Sequence, residues 1–416
     1  MSASTSLKCI RCGKAFPLAA YARGCDACAT AGVGANLTVN YAAPPSLQPR
    51  DLPSAPRSMW RYEALLHATA AEAVSLGEGL TPLVPVDQLG IGPLWLKDES
   101  RNPTWSFKDR LASAAVTMAK KLGAKVIVSS SSGNAGAATA AYAARAGLPC
   151  VIVTYKAAAG PMVTQMRAYG AMLVTVPASA DRWRVVSAAV ERFGWYPTTV
   201  YYGPAVGSNP LGIEGYKTIA YEIAESMGWK VPDWCALPVC YSDALYGMWK
   251  GFEELRALGW IDRVPRFLAA EVSGSLTQAM QEQIEMPPVR DLPHPTLATS
   301  IGAAQGTYQG VAALRASSGR SVFVDDEDIL AWQARLARME GIYAEPSAVA
   351  TLPAIEKLRA GGVIAKDASV VALLTASGLK DNAATERNLK AAPEIEGDID
   401  AAVRALKENY GFDAEK

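Results

Sequence analysis

The chain has 416 residues, 50% of them hydrophobic and 19% charged, so it can bury one large core or two ordinary ones. Its 40 basic and 40 acidic residues cancel, and no basic block stands out, which argues against nucleic acid as a partner. No run of 18 apolar residues predicts a membrane span, and the first residues lack the apolar stretch of a secretory signal. We therefore expect a cytoplasmic protein with no membrane partner.

Four cysteines near the start form two Cys-x2-Cys pairs separated by twelve residues: Cys9, Cys12, Cys25 and Cys28. Two such knuckles can close a tetrahedral thiolate cage, and Gly13 and Gly24 suit its tight turns. A zinc ion with four protein ligands would be structural rather than catalytic. The alternative is four reduced cysteines without metal, since cysteine usage elsewhere is that of a cytosolic protein. We predict a zinc-ribbon-like segment over residues 1–31.

Residues 32–75 predict a linker and packing arm, because five prolines between residues 44 and 56 forbid a long helix. Within it, Trp60-Arg61-Tyr62 opens a short amphipathic stretch. Residues 77–83 indicate a turn that leads into an edge strand, and residues 94–99 a strand that ends in charge. Near that end, Lys97 is either a second anion-binding lysine of a substrate site or an ordinary surface lysine.

The most informative segment is Asn102-Pro103-Thr104-Trp105-Ser106-Phe107-Lys108-Asp109-Arg110. Asn-Pro and the hydroxyl residues after it favour a turn and a helix cap. Residues 107–122 then predict a helix that Gly123 ends. Lys108 would lie in its first turn, where the helix dipole disfavours the ammonium form and so helps the amine to act as a nucleophile. Taken alone, Lys108 could equally be a solvated lysine.

This segment resembles the lysine segment of threonine synthase, among the fold-type II pyridoxal-phosphate enzymes, at eight of nine positions. Trp105 stands where that family has glycine. The resemblance implies that Lys108 carries pyridoxal 5'-phosphate and is the catalytic residue. It also implies an α/β fold with two doubly wound parallel-sheet domains of the tryptophan synthase beta-like type. Threonine-synthase-like proteins often begin with a zinc ribbon, which agrees with the cysteine pairs.

Strands and helices alternate beyond the lysine helix, which predicts a parallel sheet with covering helices. The expected strands are 125–130, 149–154 and 171–176, and the expected helices are 135–145, 161–170 and 179–193. We predict a large cofactor-binding domain from residues 76–115 and 205–385, a small substrate-side domain at 116–204, and a helical tail at 386–416.

Residues 129–136 read Ser-Ser-Ser-Ser-Gly-Asn-Ala-Gly, and such small residues let backbone amides approach a ligand. The segment resembles the family's Ser-Ser-Gly-Asn loop. The resemblance implies that Asn134 contacts the phenolic oxygen of the cofactor and that the loop, with Ser131, Ser132, Asn134 and Ala135, binds the substrate. Threonine synthases commonly have threonine at the position of Ala135, so the grip on the substrate differs here.

The segment from Asn209 to Thr218 caps a predicted helix that runs to Met227, and it resembles the family's Asn-Pro…Glu-Gly-x-Lys-Thr segment. Asn209 is expected to contact the substrate. True threonine synthases tend to place an arginine near Gly212, which binds the substrate phosphate. Because glycine cannot do this, Gly212 argues against O-phosphohomoserine as the substrate.

The joint at residues 239–247 connects a predicted strand at 234–239 with a predicted helix at 245–258. In the family this joint is glycine-rich and its amides bind the cofactor phosphate, whereas most of the glycines are replaced here. The resemblance still assigns the phosphate to Ser242, Asp243 and Ala244, because amides at a helix start point outward. The Asp243 carboxylate would repel a phosphate unless it faces away.

Residues 369–374 predict a buried strand, followed by Thr375-Ala376-Ser377-Gly378-Leu379-Lys380-Asp381. This turn is similar to the family's Thr-Gly-x-Gly-Leu-Lys-Asp, which implies that Thr375 hydrogen-bonds the pyridine nitrogen; alternatively Thr375 only caps the strand. Two histidines, His67 and His294, leave little for a Ser-His-Asp hydrolase.

These patterns predict a pyridoxal-phosphate enzyme that eliminates a β- or γ-leaving group from a small amino-acid substrate. We expect it to be a homodimer. The first expectation is threonine synthase activity. The competing enzyme is a β-eliminating ammonia-lyase acting on a hydroxy amino acid, which Ala135 and Gly212 favour. A third possibility is a binding or scaffold protein that kept the fold and lost the cofactor.

Overall fold

The computed structural model describes residues 6–40, 46–156, 158, 160–292 and 295–414. His294 therefore lies outside the described residues. The chain divides into a compact unit from Met1 to Asp381 and a second unit from Asn382 to Lys416. No helix in the described part has both the length and the apolar character needed to cross a membrane.

Within the described residues, thirteen strands form three sheets, of three, six and four strands. The three-stranded sheet is antiparallel with order β2-β1-β3. The six-stranded sheet has order β12-β11-β10-β13-β5-β4, and all its pairings are parallel except that of edge strand β4 with β5. The four-stranded sheet, order β8-β7-β6-β9, is entirely parallel. The strands are β1 Ser6–Cys9, β2 Ala15–Phe16, β3 Leu37–Asn40, β4 Leu83–Pro85, β5 Leu94–Asp98, β6 Ile127–Ser130, β7 Cys150–Tyr155, β8 Met172–Val176, β9 Tyr196–Pro197, β10 Trp234–Pro238, β11 Arg266–Glu271, β12 Arg320–Phe323 and β13 Val370–Leu374.

Helices connect these strands, and the predicted alternation is confirmed. The helices are α1 Asp26–Thr30, α2 Lys108–Lys121, α3 Asn134–Ala146, α4 Pro161–Ala168, α5 Asp181–Phe193, α6 Pro210–Ser226, α7 Asp243–Ala257, α8 Ser275–Gln281, α9 Tyr308–Ala316, α10 Asp326–Glu340, α11 Pro346–Val349, α12 Thr351–Ala360, α13 Asn382–Glu386 and α14 Ile399–Tyr410. The structure is therefore α/β with parallel sheets, as expected. The proposed domain boundaries stay a prediction.

The helices α2, α6 and α7 pack unusually closely because glycines face their neighbours. In α6, every residue from Pro210 to Ala224 is buried. A Cβ on Gly251 of α7 would lie 2.6 Å from the carbonyl oxygen of Lys217 in α6. A Cβ on Gly215 would collide with the carbonyl of Arg110 in α2. These close approaches hold the start of α2, and hence Lys108, against the body of the protein.

A fully buried ion cluster anchors the same region. The Arg110 guanidinium contacts Glu99 at 2.7 Å and Glu222 at 2.6 Å, and Lys97 Nζ contacts Glu222 at 2.7 Å. All four side chains are at most 3% exposed. Two cations and two carboxylates therefore compensate one another where water cannot.

The cysteine-rich segment forms the three-stranded sheet with α1, and it contacts the main body. Lys250 of α7 donates to Thr38 Oγ1 and to Val39 O at 3.0 and 2.9 Å. Arg11 forms a 2.8 Å ion pair with Glu285. Trp60 and Tyr62, from the predicted packing arm, are fully buried.

The second unit contains α13 and α14. The Asp398 side chain caps the start of α14 by accepting from the amide of Ala401, and Gly411 ends it in the left-handed conformation, with φ of 64°. No residue of α14 is buried within the described part of the chain, in agreement with a charged, solvated helix.

Candidate active site

The polar residues of segment 102–110 brace one another beside Lys108, and we call the region that Lys108 shares with Asp243, Cys240 and Glu345 the cleft. The Thr104 hydroxyl and amide donate to Asp109 at 2.7 and 3.2 Å, and Asn102 Nδ2 donates to Glu99 at 2.8 Å. The amide of Phe107 donates to Thr375 O at 2.8 Å, which joins this segment to the end of β13. These bonds fix the direction in which α2 begins.

Lys108 is the first residue of α2, as expected, and is half-buried. Its Nζ lies 4.3 Å from the ring centroid of Phe107 and 5.6 Å from that of Tyr216. Among the described residues it has no ion pair within bonding distance, unlike Arg110 nearby. Burial lowers the pKa of Lys108, while the charges of Asp243, Cys240 and Glu345 oppose that shift. The lowered pKa favours the neutral, nucleophilic form of the amine.

Trp105 occupies the position where the resembled family has glycine, and the backbone explains that preference. Its φ is +65°, which is unfavourable for a residue with a Cβ, and its side chain is 50% exposed. The strained conformation is held by the amide of Trp105, which donates to Asn102 O, and by its carbonyl, which accepts from Ser377 N.

We predict that Trp105→Gly has a free energy of unfolding about 1 kcal/mol higher than that of Trp105→Ala, so it unfolds at a higher urea concentration. Both variants lose the indole, but only glycine relieves the left-handed strain. Equilibrium urea unfolding of the two proteins measures this difference, and equal stabilities would show that the turn is unstrained.

Asn134 and Glu345 meet on the side of the cleft formed by the four-stranded sheet. Asn134 begins α3, and its Nδ2 donates to Glu345 Oε2 at 3.0 Å. Asn134 Oδ1 is buried and has no hydrogen-bond partner among the described residues. Burial raises the pKa of Glu345 to about 7, although the bond from Asn134 favours its charged form. An unpaired buried oxygen beside a titratable carboxyl indicates a place for a polar ligand.

The raised pKa of Glu345 has a consequence for stability in the cofactor-free protein. Because the folded state binds a proton that the unfolded state releases near pH 4.5, stability falls as pH rises from about 4.5 to about 7. We predict that Glu345→Gln reduces this decline in the free energy of unfolding, by on the order of 1 kcal/mol for each unit by which the fold raises the pKa of Glu345. Urea unfolding at pH 5 and pH 8 checks it; parallel profiles for both proteins would contradict it.

The joint after β10 lies on the opposite side of Lys108. α7 begins at Asp243, two residues before the expected position, so Asp243 and Ala244 lie in its first turn. The Asp243 carboxylate accepts from Ser208 N at 2.9 Å, from Ser208 Oγ at 2.6 Å and from Gln309 Nε2 at 2.6 Å. These donors satisfy the carboxylate, which is the condition for an acid at an anion site.

Ser242 has φ of +61°, which is the conformation of a glycine position. Its Oγ is buried without a hydrogen-bond partner in the described part of the chain and packs against Gly310 of α9. The buried amides at the start of α7 and this unpaired hydroxyl could hold a phosphate.

These residues fit the cofactor that the resemblance implies. Lys108 offers an amine without an ion pair, Asn134 Oδ1 and Ser242 Oγ are unpaired buried polar atoms, and Thr375 is 2% exposed at the end of β13 beside the lysine segment. Asn134 is bound to Glu345, Ser242 directly precedes Asp243, and Thr375 O accepts from the amide of Phe107, so all three adjoin the region around Lys108. This region lies at the carboxyl ends of parallel strands, where α/β proteins bind ligands. The individual contacts of these residues with a cofactor stay a prediction.

Lys97 is not a surface lysine, so that expectation is wrong, while a role in substrate binding stays a prediction. Its side chain is fully buried, and Nζ is bound to Glu222 and, at 2.5 Å, to Thr81 O. The Glu222 carboxylate of helix α6 pairs with the Lys97 ammonium, and the spacing of these residues along the chain did not predict this contact.

The other predicted substrate residues have structural contacts. Asn209 caps α6 by accepting from Leu211 N at 2.9 Å, and its Nδ2 donates to Pro197 O at 2.8 Å. Ser131 Oγ accepts from Gly136 N at 2.9 Å at the start of α3, whereas Ser132 and Ala135 are half-buried in the same turn. Roles of these residues in substrate binding stay predictions.

Residues of two further motifs form ion pairs and hydrogen bonds that hold parts of the protein together. Glu214 and Lys217 of the Glu-Gly-x-Lys-Thr segment form a buried ion pair at 2.7 Å. Lys380 Nζ, from the Gly-Leu-Lys-Asp turn, donates to Thr104 O at 2.9 Å and also to Gln165. Burial lowers the pKa of Lys380 to about 8. Lys380 thus holds the loop that leads to Lys108.

Sequence reasoning missed Glu345 and Cys240 as cleft residues. A glutamate before Pro346, in an otherwise apolar stretch, was the available signal for Glu345. No comparable signal marked Cys240, whose thiol pKa is raised by burial to about 11 and lowered in turn by Lys108.

The four N-terminal cysteines converge. All four sulfur atoms lie within 4.8 Å of one another, with Cys9–Cys28 at 3.6 Å and Cys12–Cys25 at 3.7 Å. Tetrahedral zinc with Zn–S bonds of about 2.3 Å places its sulfurs about 3.8 Å apart. The amides of Arg11 and Cys12 donate to Cys9 Sγ, which is the bonding expected of a metal knuckle. Gly13 and Gly24 adopt positive φ of 73° and 72°, as their turns require.

Comparisons with known proteins agree with this geometry. Residues 74–376 match the profile of the family described as pyridoxal-phosphate dependent enzyme. The chain is 32% identical to threonine synthase of Methanocaldococcus jannaschii, over 96% of this chain and 99% of that protein. It is 35% identical to threonine synthase of Methanosarcina acetivorans, over 84% of this chain and 86% of that protein. Maize serine racemase shares the fold, with a TM-score of 0.61, 21% identity, and coverage of 74% of this chain and 91% of that chain.

Proposed function

The chain belongs to the family of pyridoxal-phosphate dependent enzymes, as a lyase similar to threonine synthases, and from this premise we propose that it converts O-phosphohomoserine to threonine and phosphate. The observation that carries the proposal is the cleft around Lys108, with an amine of lowered pKa between Asn134 and the start of α7. The similarity to threonine synthases over nearly the whole chain supports the choice of reaction.

Pyridoxal phosphate, when bound, withdraws electrons from the amino acid and so makes its α proton acidic. The residues of this chain bind, orient and move protons around it. Lys108 holds the cofactor and afterwards transfers a proton at the α carbon and at the β carbon of the substrate, since an amine with a lowered pKa can both accept and return a proton. Asn134 orients the ring on one side and Thr375 on the other.

The start of α7 anchors the phosphate end. Amides of Asp243 and Ala244 point outward from the first turn, with the hydroxyl of Ser242 beside them. The turn of Ser131 and Ser132 lies at the start of α3, where amides can bind the substrate carboxylate.

A direct assay tests the reaction. Purified enzyme with added cofactor should release inorganic phosphate and threonine from O-phosphohomoserine. Formation of a 2-oxoacid and ammonia from serine or threonine, with no phosphate release, would exclude threonine synthase activity.

That second outcome defines the competing candidate, an ammonia-lyase, and Gly212 favours it. A Cβ on Gly212 would lie 3.0 Å from Leu111 Cγ and 3.1 Å from Leu111 O. The position faces helix α2 at close range, so the arginine that binds the substrate phosphate in threonine synthases has no space there without repacking.

We also propose that Cys9, Cys12, Cys25 and Cys28 bind one structural zinc ion. Their convergence within 4.8 Å supports the proposal, and the four protein ligands leave no open position for a substrate. A homodimer and a cytoplasmic location stay predictions.

We expect about one zinc per chain after purification without chelator, and a fall in the melting temperature by several degrees when Cys9 and Cys25 are both replaced by serine. Elemental analysis and thermal unfolding measure the two effects. The matched control is Cys150→Ser, which removes a buried cysteine outside the cluster and should leave the zinc content unchanged. Less than a tenth of a zinc per chain, together with an unchanged melting temperature in the double variant, would exclude the site.

A further inference from the structure

Arg182 is a half-buried cation without an acidic partner. It is the second residue of α5, and its guanidinium donates to Ser179 O at 2.9 Å and to Ser179 Oγ at 2.7 Å. The neighbouring acid Asp181 is paired with Arg184 at 3.1 Å. Arg182 forms no ion pair with any described residue. Since an arginine has five N–H donors, several remain for a ligand.

The strand order places Arg182 at the ligand-binding edge of the four-stranded sheet. The strands β6, β7 and β8 are neighbours and parallel, so their carboxyl ends meet at one edge. Asn134 follows β6, Tyr155 ends β7, and Arg182 follows β8. The guanidinium lies 5.5 Å from the ring centroid of Tyr155. This edge is where α/β proteins bind ligands.

The start of α5 also reaches the joint that follows β10. The rings of Trp183 and Tyr241 are 6.3 Å apart between centroids, so the first turn of α5 lies against that joint. Burial lowers the pKa of Arg182, against the opposing influence of Tyr241, Tyr155 and Cys240. Cys240 also acts on Lys108. The guanidinium and the reactive amine therefore share a neighbour across the cleft.

The fully buried Arg110 has carboxylate partners, and a cation that is partly removed from water also gains from one. Arg182 lacks one in the described structure, while the cleft lacks two familiar anion binders: the glycines of the joint at 239–247 and an arginine at position 212. We propose that Arg182 is a further anion-binding residue of this cleft, in addition to the start of α7, and binds a phosphate group from the side of the four-stranded sheet. The inference rests on the proposed function, because it places a phosphate-bearing ligand beside Lys108.

The phosphate can come from the cofactor or from the substrate, and two comparisons distinguish these sources. The first titrates the cofactor-free protein with pyridoxal phosphate and with pyridoxal, followed by absorbance. The second titrates the holoenzyme with O-phosphohomoserine and with homoserine, followed by the change in the cofactor spectrum. Each is done with the wild type, Arg182→Gln, Arg182→Lys and the control Arg184→Gln, whose side chain is 80% exposed on the same helix.

We expect Arg182→Gln to weaken the binding of the phosphate-bearing ligand in one pair about 10- to 100-fold. The binding of its phosphate-free counterpart should weaken less than about twofold. Arg182→Lys should recover part of the loss, and Arg184→Gln should behave as the wild type. Equal weakening of both members, as general damage to the fold would give, or no weakening of either, overturns the inference.

A third measurement separates failure of the inference from failure of the proposed function. Inorganic phosphate should raise the melting temperature of the cofactor-free wild type and of Arg184→Gln, but not that of Arg182→Gln. If the wild type takes up no cofactor and this difference persists, the proposed function fails and the anion site stands. If cofactor binds and phosphate stabilises all variants equally, the function stands and the role of Arg182 is excluded.

Discussion

Replacement of Lys108 by alanine should lower the turnover number by at least about 10³-fold, the largest effect of any single substitution on activity. Lys108 is the half-buried amine at the start of α2, with a pKa lowered by burial and no ion pair among the described residues. Without it, the enzyme loses both the attachment point of the cofactor and the base that moves the substrate proton. Steady-state kinetics and the absorbance spectrum measure the two losses.

Lys120 provides the matched control because it is an exposed lysine in the last turn of the same helix. Lys120→Ala should retain activity and spectrum. Borohydride reduction followed by peptide mass analysis should locate the cofactor on Lys108. Labelling of Lys97, Lys217 or Lys380 instead, or a colourless wild type that takes up no added cofactor, would refute the assignment.

The largest effect on stability should come from Glu222→Gln, which we expect to cost about 3–5 kcal/mol. Glu222 binds the Arg110 guanidinium at 2.6 and 2.8 Å and Lys97 Nζ at 2.7 Å. The amide cannot compensate two buried cations, which would share the remaining carboxylate of Glu99. Urea unfolding of the holoenzyme measures the loss.

The same carboxylate gives a pH dependence. Burial alone would raise the pKa of Glu222, but Arg110 and Lys97 lower it to about 2. The stabilisation that the charged Glu222 provides is therefore present above the unfolded-state pKa of about 4.5 and is lost as pH falls towards 2. Wild type should lose stability over that interval more steeply than Glu222→Gln.

An exposed ion pair on α2 is the control for the buried one. Lys121 and Glu72 are 2.8 Å apart with side chains 44% and 41% exposed. Lys121→Gln should cost less than about 1 kcal/mol, since water screens that pair. A cost for Glu222→Gln as small as that for Lys121→Gln would show that the buried cluster can repack.

Motif resemblance predicted the reactive lysine, whereas the apolar patterning predicted the alternation of strands and helices and the cysteine spacing predicted the four-cysteine cluster. These depend on features that are local in sequence: the cap and first turn around Lys108, the β-branched runs, and the spacing of cysteines in two knuckles. Motif resemblance did not show which motif residues reach the cleft. Glu214, Lys217 and Lys380 are parts of strong motifs, yet their recorded contacts are those of braces within the protein.

The sequence by itself indicated the class of chemistry, because the lysine segment and the motifs after it resemble those of one enzyme family. Only the tertiary structure decided which groups pair with the charged and polar side chains. Lys97 is bound by Glu222, which lies 125 residues later, Asp243 by Ser208 and Gln309, and Asn134 by Glu345. Electrostatic attraction inside a protein depends on distance in space and on burial, and neither can be read from the separation of residues along the chain.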